Sequence, residues 1–177
     1  MKDKFNPESL KSLVADFKDF PQPGVVFRDI SPLLANPAAF TAATQAMALN
    51  FQESSITRVA GIESRGFLFG PAVASILGVG FSPIRKAGKL PGDTMAESYG
   101  LEYGRDTLEI QANAITTKDR VLLADDVLAT GGTLAAAARL VTSTGAVVAG
   151  ATVLIELDFL NGREQLGALD VAAVVHY

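Results

Sequence analysis

The chain switches between short apolar runs and longer apolar stretches with helical spacing, and each change of period marks an element. "RVAGI" (58–62) and "GFSPI" (80–84) read as strands. Between them, "GFLFGPAVASILG" predicts an apolar helix over 66–77 with Gly78 as its stop. "RVLLAD" (120–125) is a continuous apolar run, the pattern of a strand buried on both faces. "TGGTLAAAARLVTSTG" follows as a helix ending at Gly145, then a strand over 146–157, a short helix near 161–166 and a last strand over 171–175. Upstream, Asn6-Pro7 and Asn36-Pro37 have the form of helix starts, since Asn caps a first turn and Pro at its first position gives up no needed N–H. They predict helices over about 7–16 and 37–52, separated by "FPQPGVVFRDISP", too rich in Pro and Gly for regular helix. "RKAGKLPGDTMAESYGLEYG" has little apolar period over its length, which predicts a functional lid or a disordered loop before a strand at 106–111.

Strands alternating with helices imply an α/β fold: a mostly parallel central sheet with helices on both faces, binding its ligands at the carboxyl ends of the strands. With 177 residues and neither repeat nor linker, the expectation is one domain over 1–177. A chain of this length buries about 70 % of its unfolded surface and needs no staple. It has no cysteine, which excludes a disulfide framework, a Cys-based zinc site and a Cys nucleophile. One histidine, His176, makes a His-rich metal site or a Ser-His-Asp triad a poor reading. "MKDKFNPESL" lacks the apolar segment of a signal peptide and no apolar run is long enough to span a bilayer, so a cytoplasmic protein without membrane contact is expected. The net charge of −4 lacks the basic excess of a nucleic-acid coat. The positive charges are nonetheless uneven. Arg85, Lys86 and Lys89 gather in "RKAGK", and Arg28 and Arg65 sit in loop-like surroundings, which fits either a solvated face or a small anionic ligand.

The densest chemistry lies in "VLLADDVLATGGT" (121–133). Its glycine pair opens a helix, where free N–H groups and the helix dipole make an anion site. Gly131 and Gly132 let a phosphate reach the backbone without a Cβ in the way, and Thr130 and Thr133 add hydroxyls. Asp125 and Asp126 would repel that phosphate, so they must face something else, and carboxylates accept well from a pair of sugar hydroxyls. The stretch therefore suits a ribose 5-phosphate, with a strand, an Asp cap and an ordinary helix as the plain alternative. Neither G-x-x-x-x-G-K-[ST] nor G-x-G-x-x-G occurs.

These residues resemble the phosphoribosyl-pyrophosphate (PRPP) motif of the type I phosphoribosyltransferases: apolar strand, acidic pair, T-G-G-T. "FPQPGVVFRDISPLL", "GIESRGFLFG", "IRKAGKLPG", "SYGLEYG", "ATGGT" and "GREQL" then occur in the order seen in the adenine phosphoribosyltransferase family, across about residues 20–165. The resemblance implies transfer of 5-phosphoribose from PRPP to adenine, giving AMP and diphosphate. It implies ribose hydroxyls on Asp125 and Asp126, and the 5-phosphate on Ala129, Thr130, Gly131, Gly132 and Thr133. Glu63-Ser64-Arg65 would form the diphosphate loop, with Arg65 catalytic at the leaving group and Arg85, Lys86 and Lys89 adding charge. An N-terminal hood over about 1–35 would recognise adenine through the backbone of Val26 and the ring of Phe27, with Arg28 holding the segment or a phosphate. A mobile loop over about 85–105 would close over PRPP and exclude water, Glu102 assisting proton movement on the base and Tyr103 packing over the reaction centre. Mg²⁺ would arrive on PRPP with no direct protein ligand, and the family resemblance implies a homodimer, with Arg85 reaching a neighbour's site.

Enzymes for 6-oxopurines in this family present a lysine from the strand corresponding to 147–157, and "VVAGATVLIELDFL" has none. Two other readings stay open: a PRPP-binding regulator of the same fold, and a transferase for another purine base.

Overall fold

Two asparagines fix where the chain first turns helical. A computed structural model describes residues 6–101 and 104–177. Asn6 and Ser9 cap each other's backbone at the start of α1 (Pro7–Lys11), and Asn36 accepts from the N–H groups of Ala38 and Ala39 at the start of α3 (Pro37–Leu49). Between them lie β1 (Ala15–Lys18), β2 (Val26–Asp29) and a single turn, α2 (Ser31–Leu34). The helix expected over 7–16 thus ends at Lys11. Residues 15–18 pair antiparallel with 26–29 instead, a partner that local periodicity cannot reveal.

The next elements match their sequence signals closely. β3 (Arg58–Ile62) leads into α4 (Gly66–Leu77), which Gly78 ends at a φ of +69°. β4 (Gly80–Lys86) runs two residues beyond expectation. Then comes a correction. Within the stretch expected to be a long loop, β5 (Thr94–Leu101) forms and pairs antiparallel with β6 (Gly104–Gln111), the strand expected at 106–111. β7 (Arg120–Leu128) extends through both aspartates, so Asp125 and Asp126 lie within the strand and not at its end. α5 (Gly132–Ser143), β8 (Val147–Glu156), 3₁₀ turns at Asp158–Leu160 and Gly162–Leu166, and β9 (Val171–His176) follow.

The main sheet has the order β5-β6-β4-β3-β7-β8-β9. β4, β3, β7, β8 and β9 are parallel, and the β5–β6 hairpin joins antiparallel through Arg85 and Lys86 of β4. Strand alternation divides the interior into two cores. Val121 and Leu123 point toward α5 with Leu134 and Leu140, while Leu122 and Ala124 point toward α3 and α4 with Met47, Phe69 and Val73. After β3 the chain runs outward to β4, then returns to place β7 on the other side of β3. The loops that follow β3 and β7 therefore flank a topological switch point, where doubly wound sheets open a crevice.

Candidate active site

Glu63, Ser64 and Arg65 link β3 to α4, and Ala129–Gly131 link β7 to α5, so the two loops stand side by side. Between them lies a cleft of about 540 Å³ lined by Ser64, Arg65, Lys86, Lys89, Asp126 and Thr133, with Glu63, Tyr99, Asp106 and Asp125 in its walls. A smaller niche of about 120 Å³ continues over the glycine turn, lined by Asp125 and residues 127–134.

The acidic pair is almost fully buried. Burial pushes Asp125 well above the ordinary carboxylate range, and the charge of Asp126 beside it pushes the same way. Burial also raises Asp126, with the Arg65 guanidinium pulling it back. Arg65 Nε stands 3.0 Å from Asp126 Oδ2, an ion-pair distance without hydrogen-bond alignment, so this buried oxygen has no hydrogen-bond partner among the described residues. Asp125 Oδ1 accepts from the N–H of Asp126 at 2.9 Å. A buried, unpartnered carboxylate oxygen in a cleft wall is poised to accept from a ligand hydroxyl.

The glycine turn has a second reason for its composition. Gly131 has a φ of +87° and precedes α5 with no side chain capping the helix. A Cβ there would stand 2.2 Å from the carbonyl oxygen of Gly162, because the 3₁₀ turn of "GREQL" presses on the outside of the loop. Arg163 holds that turn in place by gripping Glu156 with two bonds of 2.6 Å. Glu156, Asp158 and His176 also bring one ligand atom each within 4.8 Å, but Glu156 is already committed to Arg163.

The cations of the opposite wall are organised by a carboxylate. Register Ile62↔Ile84 puts Glu63 beside Arg85. Glu63 Oε2 accepts from the Lys86 N–H at 3.0 Å and from Arg85 Nε at 3.3 Å, while Oε1 pairs with Lys89. Burial alone would raise Glu63. Lys89, the Lys86 N–H and Arg85 outweigh it and bring the carboxyl down to about 2. Glu63 thus gathers the cluster as its counter-charge. Lys86 Nζ pairs with Asp106 at 2.8 Å, which lowers Asp106 and raises Lys86. Tyr99 OH lies 3.4 Å from Asp106 and 3.5 Å from Thr133 Oγ1, so the hairpin touches the glycine turn.

Sequence reasoning passed over Asp106 and Tyr99. A signal for Asp106 was available: with Leu108 and Ile110 it occupies alternate positions of β6 that face the core, and a carboxylate there needs a partner. Phe27 borders the cleft, with Arg65 Cζ 5.0 Å from its ring centroid and Phe20 packed edge-on at 5.2 Å. Val26 is exposed. Arg28 is not brought to the cleft. It pairs with Asp16 and lies over the Tyr177 ring, so its contacts fit a role in holding the segment. Glu102 and Tyr103 lie outside the described residues.

Residues 29–170 match the family model of the phosphoribosyl transferase domain. The adenine phosphoribosyltransferase of Streptomyces avermitilis is 53% identical over 159 residues, covering 90% of this chain and 87% of the relative. That of Nitrosococcus oceani is 51% identical over 170 residues, 96% of this chain and 99% of the relative. Among solved structures, the adenine phosphoribosyltransferase of Rhodothermus marinus superposes with a TM-score of 0.92 at 50% identity, covering 96% of this chain and 97% of that one. The Saccharomyces cerevisiae enzyme, complexed with an imino-altritol bisphosphate and adenine, gives 0.91 at 42% identity over 95% of this chain and 97% of that one. With a domain match across most of its length and half-identical relatives end to end, the chain belongs to the adenine phosphoribosyltransferase family.

Proposed function

We propose that this chain transfers 5-phosphoribose from PRPP to adenine, releasing diphosphate and forming AMP. One observation carries the reading. Two loops on adjacent strands face each other across a single cleft, one offering buried carboxylates and a bare glycine turn, the other Arg65 with Lys86 and Lys89.

The reaction needs the two ends of PRPP held apart and still, because charge separates between them as the glycosidic bond loosens. The N–H groups and hydroxyls of Thr130–Thr133 take the 5-phosphate in the small niche. Asp125 and Asp126 accept from the ribose hydroxyls and lie near the sugar as it gains positive charge. Arg65, Lys86 and Lys89, with Arg85 behind them, neutralise the departing diphosphate. The base enters from the β1–β2 hairpin, where backbone groups of Val26 meet its edge and Phe27 its face; the contact of Phe27 with Arg65 supports that neighbourhood. Glu102 and Tyr103 are the groups proposed to close over the reacting atoms, the β5–β6 hairpin acting as the lid.

Magnesium is part of the same proposal. The carboxylates and hydroxyls of the cleft, standing among Arg65, Lys86 and Lys89, suit a hard cation that would arrive on the diphosphate, with Asp125 and Asp126 to attract it. Bound there, it would offset the charge of the leaving group. A homodimer and a cytoplasmic setting complete the reading, the first supported by the exposed apolar Leu68 and Ile76 on α4.

The test is a forward assay with Mg²⁺, PRPP and, in turn, adenine, hypoxanthine, guanine and xanthine. Diphosphate with adenine alone is expected, and Asp126→Asn or Arg65→Ala should cut turnover at least about tenfold with the fold intact. Turnover of a 6-oxopurine would overturn the base assignment. PRPP binding without diphosphate from any base would favour the regulator.

A further inference from the structure

The β1–β2 hairpin stands apart from the main sheet as a two-stranded ribbon. Such a ribbon is marginal on its own. Its apolar anchorage is thin: Phe17 and Phe20 are each more than half exposed, and β1 buries none of its four residues fully. Val14 and Ile30 anchor its open end in the core, but the strands beyond need a further fixture, because Phe27 on β2 lies against Arg65 of the cleft.

That fixture is built at Tyr177. The Tyr177 backbone is bound on both sides, donating to the Glu156 carbonyl at 3.0 Å and accepting from the Asp158 N–H at 2.9 Å. Its ring is therefore held by the β8–β9 edge. Two cations from the N-terminal segment close on that ring: Lys11 Nζ at 4.3 Å and Arg28 Cζ at 3.9 Å from the centroid. Lys11 also donates to the His176 carbonyl, and Arg28 pairs with Asp16 across the hairpin, so both strands are tied to the same ring. Arg28 adjoins Phe27 in β2. A hairpin free to tilt about this point would carry Phe27 away from Arg65.

We infer that Tyr177 is a positioning residue for the acceptor base: the ring, clamped between Lys11 and Arg28, sets the hairpin over the cleft and so governs affinity for adenine. The inference rests on the reading of this hairpin as the base-recognition segment. Nothing in the chemistry of the donor site depends on Tyr177, so the two substrates should respond differently. The Tyr177 hydroxyl reaches the Lys11 carbonyl only at 3.5 Å, whereas a cation over a ring needs the ring face, which makes phenylalanine the conservative substitute.

The experiment compares wild type, Tyr177→Leu and Tyr177→Phe by steady-state kinetics, alongside hydrogen exchange of the unliganded proteins. Tyr177→Leu should raise KM for adenine about five- to tenfold, leaving kcat and KM for PRPP within about twofold. Tyr177→Phe should restore the adenine KM. Exchange over residues 15–29 should be faster in Tyr177→Leu alone, with β7 unchanged. An unaltered adenine KM, equal rises in both KM values, or failure of phenylalanine to restore would overturn the inference. Should Tyr177→Leu not fold, Lys11→Ala removes one jaw of the clamp, and faster exchange over 15–29 is the expected result, unchanged exchange the contrary one. If the wild type makes no diphosphate with any base, the acceptor reading fails, and the exchange data still decide whether the ring holds the hairpin.

Discussion

Asp125 shows what a side chain proposed to hold the donor sugar does to stability. A carboxyl whose folded value is raised holds its proton more tightly than in the unfolded chain. Stability is therefore lost as pH climbs from the unfolded value toward the folded one, and the loss is complete above it. Asp125→Asn removes that burden while keeping an oxygen to accept from the Asp126 N–H. The unliganded variant should melt about 2–4 °C higher near pH 7, with the advantage shrinking toward pH 4, and its turnover should fall at least about tenfold. Parallel thermal melts and diphosphate assays check both halves; a lower melting temperature would contradict the burial argument. Much of this residue-scale chemistry was legible because Asp125, Asp126 and the glycine turn are neighbours in sequence. Glu63 as counter-charge to Arg85 and Lys89 was not, because that contact exists only once β3 and β4 align in register. Arg28 was singled out as holding its segment or a phosphate, but its partner Tyr177, far away in sequence, was not legible.

Elements with a strong local signal matched expectation, β8 and β9 among them, and those without one did not. β3 and α4 have their expected bounds because an apolar run and a glycine stop are written into 58–78. β5 was invisible where β6 was not: Met95, Glu97 and Tyr99 make a weak alternation, and pairing with β6 over Thr94–Leu101 is what makes a strand of it. The shortening of α1 has the same origin in the β1–β2 pairing. The turn between β7 and α5 obeys both kinds of constraint. Its positive φ is local, and the pressure of Gly162 against it is tertiary. Gly131→Ala should then cost roughly 2 kcal/mol or more in urea unfolding and raise KM for PRPP more than about tenfold. A change in KM without lost stability would mean that the turn yields to Gly162.

At the scale of the whole molecule, a chain of net charge −4 collects Arg65, Arg85, Lys86 and Lys89 around one cleft. Each is paired with a carboxylate, Glu63, Asp106 or Asp126, so a small polyanion must compete for them, and its contacts are screened by salt, whereas a neutral base is indifferent to it. KM for PRPP should rise about threefold or more between about 50 and 300 mM KCl, with KM for adenine unchanged. Equal shifts in both would point to a general salt effect.

The reversal of strand order between β3 and β7 also bears on how the protein is made. The two loops proposed to grip the donor come from segments about sixty residues apart, brought together by parallel pairing such as Arg58↔Val121. Contacts of that range form late and slowly. No half-assembled chain has a cleft, so a ligand has nothing to hold until the sheet is complete. A donor that fits only the finished fold acts as a brake on unfolding and leaves the speed of folding untouched.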